Sequence, residues 1–143
     1  MSEIKGEGIK ELIPQRDPII MVDAFYGATD SEADTGLTVT DDNLFCREGF
    51  FTEPGLVEHI AQSASAYAGY KAKVENKPTP VGFIGEVKKF RINFMPRTGD
   101  KLYTHIRILS EVLGVSLLMA ETKVNEEVAA QCQMKIFIKP EKK

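Results

Sequence analysis

The sequence has few of the residues that metal and redox sites need. Its 143 residues include two histidines and two cysteines, with no HxH or CxxC pair. Cys46 and Cys132 are far apart and fit no metal-ligand spacing. We therefore predict no metal site. Because the N-terminal stretch is charged and has no long apolar core, we expect no signal peptide and two reduced thiols in the cytoplasm.

Long apolar runs and an excess of basic residues are also missing. No apolar stretch approaches the roughly 20 residues that span a bilayer. The formal net charge is -3, which argues against nucleic acid as the main partner. With 43% hydrophobic and 27% charged residues, the chain has the composition of a soluble globular protein. We predict a single domain over residues 1–143.

Hydrophobic periodicity predicts one long helix and about six strands. The helix begins at Pro54, which suits a first helical position, and runs to about Val74. Residues 8–18 predict one or two helical turns that Pro14 ends. The strands are predicted at residues 19–29, 32–40, 81–94, 101–110, 116–124 and 127–138.

The long helix is rich in alanine, and its small side chains allow a sheet to pack closely around it. A single helix among six strands must bury its apolar stripe against the sheet. The four strands after the helix are joined by tight turns and run antiparallel. The sequence therefore predicts an α+β fold of the hotdog type, a curled antiparallel sheet wrapped around one central helix.

Four segments follow each other in an order that is typical of one enzyme family. They are LIPQRDPIIMVD (12–23), VEHIAQSASAYAG (57–69), FIGEVKKFRINFMPRTGDKL (83–102) and AQCQMKI (130–136). Together they resemble the bacterial 3-hydroxyacyl-carrier-protein dehydratases of fatty-acid synthesis and their relatives in aryl-polyene pathways. The resemblance implies a homodimer or a trimer of dimers that acts on a thioester of acyl carrier protein or coenzyme A. It implies no cofactor, since both chemical steps are proton transfers.

The resemblance assigns roles to residues near the start of the helix. Glu58 falls on the family's helix carboxylate and Gln62 on its glutamine. In such enzymes the carboxylate works with a histidine from across the dimer interface. One group removes the proton alpha to the thioester, and the other assists loss of the 3-hydroxyl as water. Gly55 and Leu56 are the expected N–H donors to the thioester oxygen, and Gly85 is expected to line the substrate site.

The family's catalytic histidine is missing from this sequence. In the family it lies in a Gly-His-Phe-Pro loop before the helix, and an ungapped count from Glu58 leads to Leu44. The surrounding loop contains no histidine. The Pro-Gly pair also lies two residues closer to the carboxylate than in the family, which is about 200° of helix rotation. The chain thus keeps the fold and half of the catalytic dyad.

His59 and His105 are the remaining candidates for the second group. His59 points about 100° away from Glu58 around the helix. It either replaces the missing histidine, for example across a dimer interface, or is a hydrogen-bonded interface residue. His105, on a strand beside Arg107, is expected to be a surface residue. Cys46 lies in the loop that lacks the histidine and is expected to be half-buried rather than nucleophilic.

Basic residues cluster in one segment of this acidic chain. They are Lys88, Lys89, Arg91 and Arg97. Because carrier proteins are acidic, such a rim would steer one toward the mouth of the acyl tunnel. The alternative is an ordinary solvated hairpin whose charges protect an exposed strand edge.

The sequence therefore predicts a hydro-lyase that dehydrates a 3-hydroxyacyl thioester, with Glu58 as its acid–base group. Two alternatives stay open. One is a hotdog thioesterase in which the helix glutamate activates water. The other is a non-catalytic subunit that binds an acyl chain or a carrier protein.

Overall fold

The computed structural model describes residues 3–78 and 80–139. Within them lie nine strands, one α-helix and one 3₁₀ helix. The strands are β1 (Ile4–Lys5), β2 (Ala24–Ala28), β3 (Glu32–Thr38), β4 (Cys46–Arg47), β5 (Phe50–Phe51), β6 (Val81–Ile92), β7 (Lys101–Val112), β8 (Val115–Val124) and β9 (Glu127–Lys139). The 3₁₀ helix is Gly6–Glu11, and the α-helix, α1, is Glu53–Val74.

Seven of these strands form one antiparallel sheet in the order β1-β2-β3-β7-β8-β9-β6. The strands β4 and β5 pair separately, directly before α1. The expected six strands and single long helix are confirmed. The three additional strands have two residues each, too few to show an alternating pattern. As described, the sheet does not close on itself, and β6, the strand after the helix, lies at one of its edges.

One side of α1 packs against the inner face of the sheet. Ile60 of the helix, Ile106 of β7 and Met134 of β9 are completely buried in one of the core clusters. Further along the helix, a Cβ added to Gly69 would lie 1.8 Å from the carbonyl oxygen of Leu12. Only glycine allows the chain to pass this close to the helix, which agrees with the close packing expected from its small residues.

The first strand is shorter than predicted. The sequence predicts a strand over residues 19–29, but β2 begins only at Ala24. The backbone of residues 19–21 is hydrogen-bonded to the side chains of His59 and Gln62. Because these helix side chains bind the backbone groups that a neighbouring strand would need, this part of the segment does not join the sheet.

The edge strand β6 is irregular at two places. Its register with β9 shifts between Ile84 and Glu86 and again between Lys88 and Arg91. Gly85 lies in the first irregularity, where the ring of Phe137 lies against it; an added Cβ would come within 2.1 Å of that ring. The strand therefore bends at this glycine, as bulged strands do.

Candidate active site

The start of α1, the preceding loop and the edge strand β6 line an open cleft of about 510 Å³. Its walls are Phe45, Glu53, Pro54, Val57, Glu58 and Ile84. The loop is held to the helix start by Thr52, whose hydroxyl donates a 2.6 Å hydrogen bond to the carbonyl of Phe45. Pro54 lies in the first turn, where its missing N–H leaves no helical hydrogen bond unmade.

Glu58 is half-buried in this cleft. Its carboxylate forms no hydrogen bond or ion pair with any residue that the structure describes. A carboxylate that lines a cleft and is not bound by its neighbours is free to exchange a proton with a ligand. Glu58 therefore remains the candidate acid–base group.

His59 lies in the core and not in the cleft. Its side chain is fully buried, with Nδ1 2.6 Å from the Met21 carbonyl oxygen and Nε2 2.7 Å from the Thr104 hydroxyl. Because the carbonyl can only accept, Nδ1 carries the proton and Nε2 accepts from Thr104. Thr104 in turn lies 2.7 Å from the Thr122 hydroxyl. Burial lowers the pKa of His59 to about 4, despite the opposing hydrogen bond to Met21.

This environment argues against the expected catalytic role of His59. A neutral ring with both nitrogens hydrogen-bonded inside the core has no free atom for a substrate proton. The alternative expectation, a hydrogen-bonded residue, is the better description. The partners lie within the same chain.

Gln62 is likewise a structural anchor and not a substrate ligand. It is completely buried, and its Oε1 accepts from the N–H of Met21 at 2.6 Å. Its Nε2 donates to the carbonyl of Ile19 at 2.8 Å. The amide is thus fully engaged with the backbone of the first segment. The expectation that Gln62 binds substrate is corrected accordingly.

The two expected oxyanion donors differ in the structure. The N–H of Leu56 donates to the Thr52 carbonyl at 3.1 Å, and its side chain is fully buried. Leu56 is therefore not available to a thioester. Gly55 lies in the first turn, where amides have no partner within a helix. An added Cβ at Gly55 would lie 2.7 Å from Phe45, so this position needs glycine and stays the candidate donor.

Gly85 does not line the cleft as expected; its neighbour Ile84 does. The ring of Phe137 lies against Gly85 instead. The cleft residues that were not predicted as site residues are Phe45, Glu53, Pro54, Val57 and Ile84. Glu53 could have been noticed, because it directly precedes the proline of the first helical turn.

The loop that should hold the family histidine presents an apolar side chain. Leu44 is 55% exposed, although leucine is usually buried. The loop comes back to α1 through β4 and β5. A leucine side chain has no group that can transfer a proton. The loop therefore adds no acid or base to the cleft of its own chain.

His105 lies on the outer face of the sheet. Its Nδ1 is 2.8 Å from Asp34 and its Nε2 is 2.9 Å from Glu32. Burial alone would lower the pKa of His105, but the hydrogen bonds to the two carboxylates outweigh it and raise the pKa. The expectation of a surface histidine is confirmed. Both histidines of the chain are therefore engaged away from Glu58.

The cysteines show no sign of activation. Burial raises the pKa of the Cys46 thiol, with a further contribution from Asp41. Burial raises that of Cys132 to about 11. Among the described residues no group of three or more histidine, cysteine and carboxylate side chains could hold a metal ion. In the same residues no helix is long and apolar enough to cross a membrane.

The basic residues expected to dock a carrier protein lie along β6 and just beyond it. Lys88 is 3.6 Å from Glu86, while Lys89 and Arg91 are exposed on the edge strand. Arg97 lies with its guanidinium 5.2 Å from the centre of the Phe50 ring, next to the strand that leads into α1.

Comparison with known proteins identifies the family. The family model of ApeP-like proteins, described as ApeP dehydratase, matches residues 7–143. The chain belongs to the ApeP-like dehydratase family. It is accordingly a hydro-lyase, as the resemblance of its four segments predicted.

Curated relatives point to the same chemistry. The 3-hydroxyacyl-[acyl-carrier-protein] dehydratase FabZ of Desulfotalea psychrophila is 28% identical over 142 residues, which cover 92% of this chain and 91% of the relative. FabZ of Lactobacillus helveticus is 26% identical over an alignment of 153 positions including gaps, which covers all of this chain and 98% of the relative.

Solved structures share the hotdog fold. The dehydratase heterocomplex ApeI:P from Xenorhabdus doucetiae matches with a TM-score of 0.81 at 15% identity, over 94% of this chain and 91% of the matched chain. The E. coli PaaI protein of the phenylacetic acid degradation operon matches with a TM-score of 0.64 at 10% identity, over 79% and 80%.

Proposed function

We propose that this chain dehydrates a 3-hydroxyacyl thioester carried by acyl carrier protein, with Glu58 as one of two acid–base groups. A base removes the proton alpha to the thioester carbonyl. The 3-hydroxyl leaves as water, with a proton supplied by an acid, and a trans-2-enoyl thioester remains. The observation that supports this assignment is the unpaired Glu58 carboxylate in the cleft at the helix start. The FabZ relatives act on 3-hydroxyacyl-[acyl-carrier-protein].

The second acid–base group is proposed to come from another chain. His59 is enclosed in the core and His105 is bound by two carboxylates on the outer face. A homodimer would bring two copies of the Leu44 loop and no free histidine. The similar structure from Xenorhabdus doucetiae is a heterocomplex. We therefore favour a related partner chain whose loop carries a histidine at the position of Leu44.

The open edge of β6 is the proposed place of contact with that chain. On the side away from β9, this strand has no neighbour in the described sheet, and Phe83 and Ile84 are 56% and 42% exposed. Unpaired edges with apolar side chains readily pair with another chain. Ile84 also lines the Glu58 cleft, so a partner at this edge would lie next to the reacting groups.

The carrier protein is proposed to approach over Lys88, Lys89, Arg91 and Arg97. These positive charges would attract an acidic partner and increase its rate of association. The chemistry needs no cofactor, because both steps move protons. We propose that it takes place in the cytoplasm.

A product assay tests this function. The purified chain, alone and with its partner, is incubated with 3-hydroxyacyl-carrier protein while enoyl thioester and free thiol are both followed. We expect enoyl product from the chain together with its partner, and we expect Glu58→Gln to reduce its rate by at least about 100-fold. Glu126→Gln, an exposed glutamate in the turn before β9, is the matched control. Free thiol would indicate a thioesterase, and unchanged but bound thioester would indicate a non-catalytic subunit; either result contradicts the proposal.

A further inference from the structure

Asn43 lies in the turn before β4, and both its backbone and its side chain are hydrogen-bonded. Its backbone N–H donates to the Thr40 carbonyl at 3.1 Å, and its carbonyl accepts from the N–H of Cys46 at 3.0 Å. In the side chain, Oδ1 accepts from the N–H of Phe45 at 2.8 Å, and Nδ2 lies 3.4 Å from the sulfur of Met21. Asn43 therefore joins this turn to the first segment of the chain.

Asparagine suits this position because its side chain offers an acceptor and a donor next to each other. The N–H of Phe45 can only donate, so the amide oxygen faces it and the amide nitrogen faces Met21. Aspartate would keep the bond to Phe45 and lose the one to Met21, and alanine would lose both. On the ungapped count from Glu58, Asn43 stands at the glycine before the family's histidine, so this side chain is a feature of this chain.

The Met21 end of this link is held in place by the helix. The N–H of Met21 donates to Gln62 at 2.6 Å, and its carbonyl oxygen lies 2.6 Å from Nδ1 of His59. Sulfur is a weak acceptor, so the bond from Asn43 to Met21 orients the amide, while the bond to Phe45 contributes more to holding the turn. The core side of α1 is thus connected to this turn through Met21.

The Phe45 end of the link reaches the candidate active site. Phe45 is a wall of the cleft that Glu58 lines. Its carbonyl accepts from the N–H of Thr52 at 3.1 Å and from the Thr52 hydroxyl at 2.6 Å. A Cβ added to Gly55 would lie 2.7 Å from the Cβ of Phe45. Phe45 therefore packs against the candidate oxyanion donor, and a shift of Phe45 would change the cleft around both Gly55 and Glu58.

We propose that Asn43 is a positioning residue for the reaction at Glu58 and that it acts through Phe45. This inference rests on the proposed function for the chemistry. Asn43 holds the N–H of Phe45, and Phe45 in turn fixes the wall of the cleft against Gly55. A misplacement of about 1 Å in an active site costs about 100-fold in rate. The loss of one of the bonds that hold this wall should shift it by less.

Steady-state kinetics of enoyl formation by the chain together with its partner test the inference. We expect Asn43→Ala to lower kcat by at least about tenfold. The KM for the thioester should rise less, because Asn43 lies behind the cleft wall and acts through Phe45. Asn43→Asp keeps the acceptor for Phe45 and should restore kcat to within about threefold of wild type.

Asp42→Ala is the matched control in the same turn. Asp42 is exposed, and its side chain accepts from the Thr40 hydroxyl at 2.6 Å. This variant should keep kcat within about twofold of wild type. Urea denaturation of each variant gives the folded fraction, so that rates are compared per folded chain. An unchanged kcat in Asn43→Ala, or a loss that Asn43→Asp does not restore, would overturn the inference.

Binding of an unreactive substrate analogue gives a readout that does not depend on turnover. The probe is the 3-hydroxyoctanoyl amide of N-acetylethylenediamine, in which an N–H replaces the thioester sulfur. We expect its affinity for the isolated chain to fall at least about fivefold in Asn43→Ala and to recover in Asn43→Asp. If wild type forms no enoyl product but these affinities keep this order, the proposed reaction is refuted and the positioning role stands. Equal affinities in all variants would refute the positioning role as well.

Discussion

Two neighbouring residues of α1, Glu58 and His59, have opposite environments. Glu58 is half-buried beside a cleft and has no partner among the described residues. His59 is fully buried and uses both ring nitrogens to join the helix to the Met21 backbone and to β7. A rotation of about 100° between consecutive residues is enough to separate a surface available for chemistry from one committed to structure.

This difference shows why a histidine that directly follows a candidate acid–base carboxylate in the sequence is not sufficient to make a dyad. The core side of the helix start holds the first segment of the chain through His59 and Gln62. The cleft side offers one carboxylate. We expect the first face to determine stability and propose that the second face carries the activity, so mutations should separate the two properties.

The largest expected effect on stability is that of His59→Leu. This change leaves the buried Met21 carbonyl without its donor and the Thr104 hydroxyl without its acceptor. We therefore expect a loss of about 3 to 5 kcal/mol in the free energy of unfolding. Urea denaturation measures it. Glu58→Gln is the matched control and should change stability by no more than about 0.5 kcal/mol. Similar losses in both variants would contradict the comparison.

Gln62→Leu should have the next largest effect. It removes two buried hydrogen bonds to the backbone of Ile19 and Met21, for which we expect a loss of about 2 to 3 kcal/mol in the free energy of unfolding. The same denaturation measurement applies. If Gln62 contacted substrate instead, the variant would keep its stability and lose affinity for the acyl thioester.

A pH profile of stability sharpens the contrast further. The pKa of His59 is about 4 in the folded chain against an ordinary value of 6.5. The unfolded chain therefore binds the proton more readily between these values, and the contribution of His59 to stability falls as the pH decreases below about 6.5. From about pH 7 to pH 5, wild type should lose about 2 kcal/mol more than His59→Leu. Parallel profiles would show that the buried ring accepts a proton without penalty.

His105 should show the smallest effect and the opposite dependence on pH. Its pKa is raised in the folded chain, so its contribution is present below about pH 6.5 and is lost as the pH rises through the folded value. Because the ring is 44% exposed, solvent screens this interaction. We expect His105→Gln to lower the free energy of unfolding at pH 6 by less than about 1 kcal/mol. A larger loss would contradict this expectation, because it would mean that solvent does not screen the interaction of His105 with Asp34 and Glu32.

The sequence was sufficient to predict the helix and the six longer strands, while the role of Glu58 stays a prediction. Long elements carry a periodic pattern, and Glu58 lies in a segment that resembles a known helix. The roles of His59 and Gln62 were not predictable in this way, because their partner Met21 is 38 and 41 residues away. Contacts at such distances leave no local pattern. The same contacts explain why the predicted strand at residues 19–29 begins late.

A cavity of about 750 Å³ between the C-terminal half of α1 and the sheet was also beyond sequence reasoning. Its lining alternates along the strands in the same way as a filled core, so the pattern of apolar residues cannot distinguish the two. The structure shows the space as a cavity that Ala68 of the helix and Ile136 of β9 both line.

The most direct test of the account is to give this chain the histidine that it lacks. Enoyl formation from 3-hydroxyacyl-carrier protein is measured for the chain alone, as wild type, as Leu44→His and as Leu44→His combined with Glu58→Gln. We predict that Leu44→His increases the rate by at least about 100-fold over wild type and that the added Glu58→Gln removes the gain. A wild-type chain that is as active alone as Leu44→His would contradict the claim that it supplies only half of the catalytic pair.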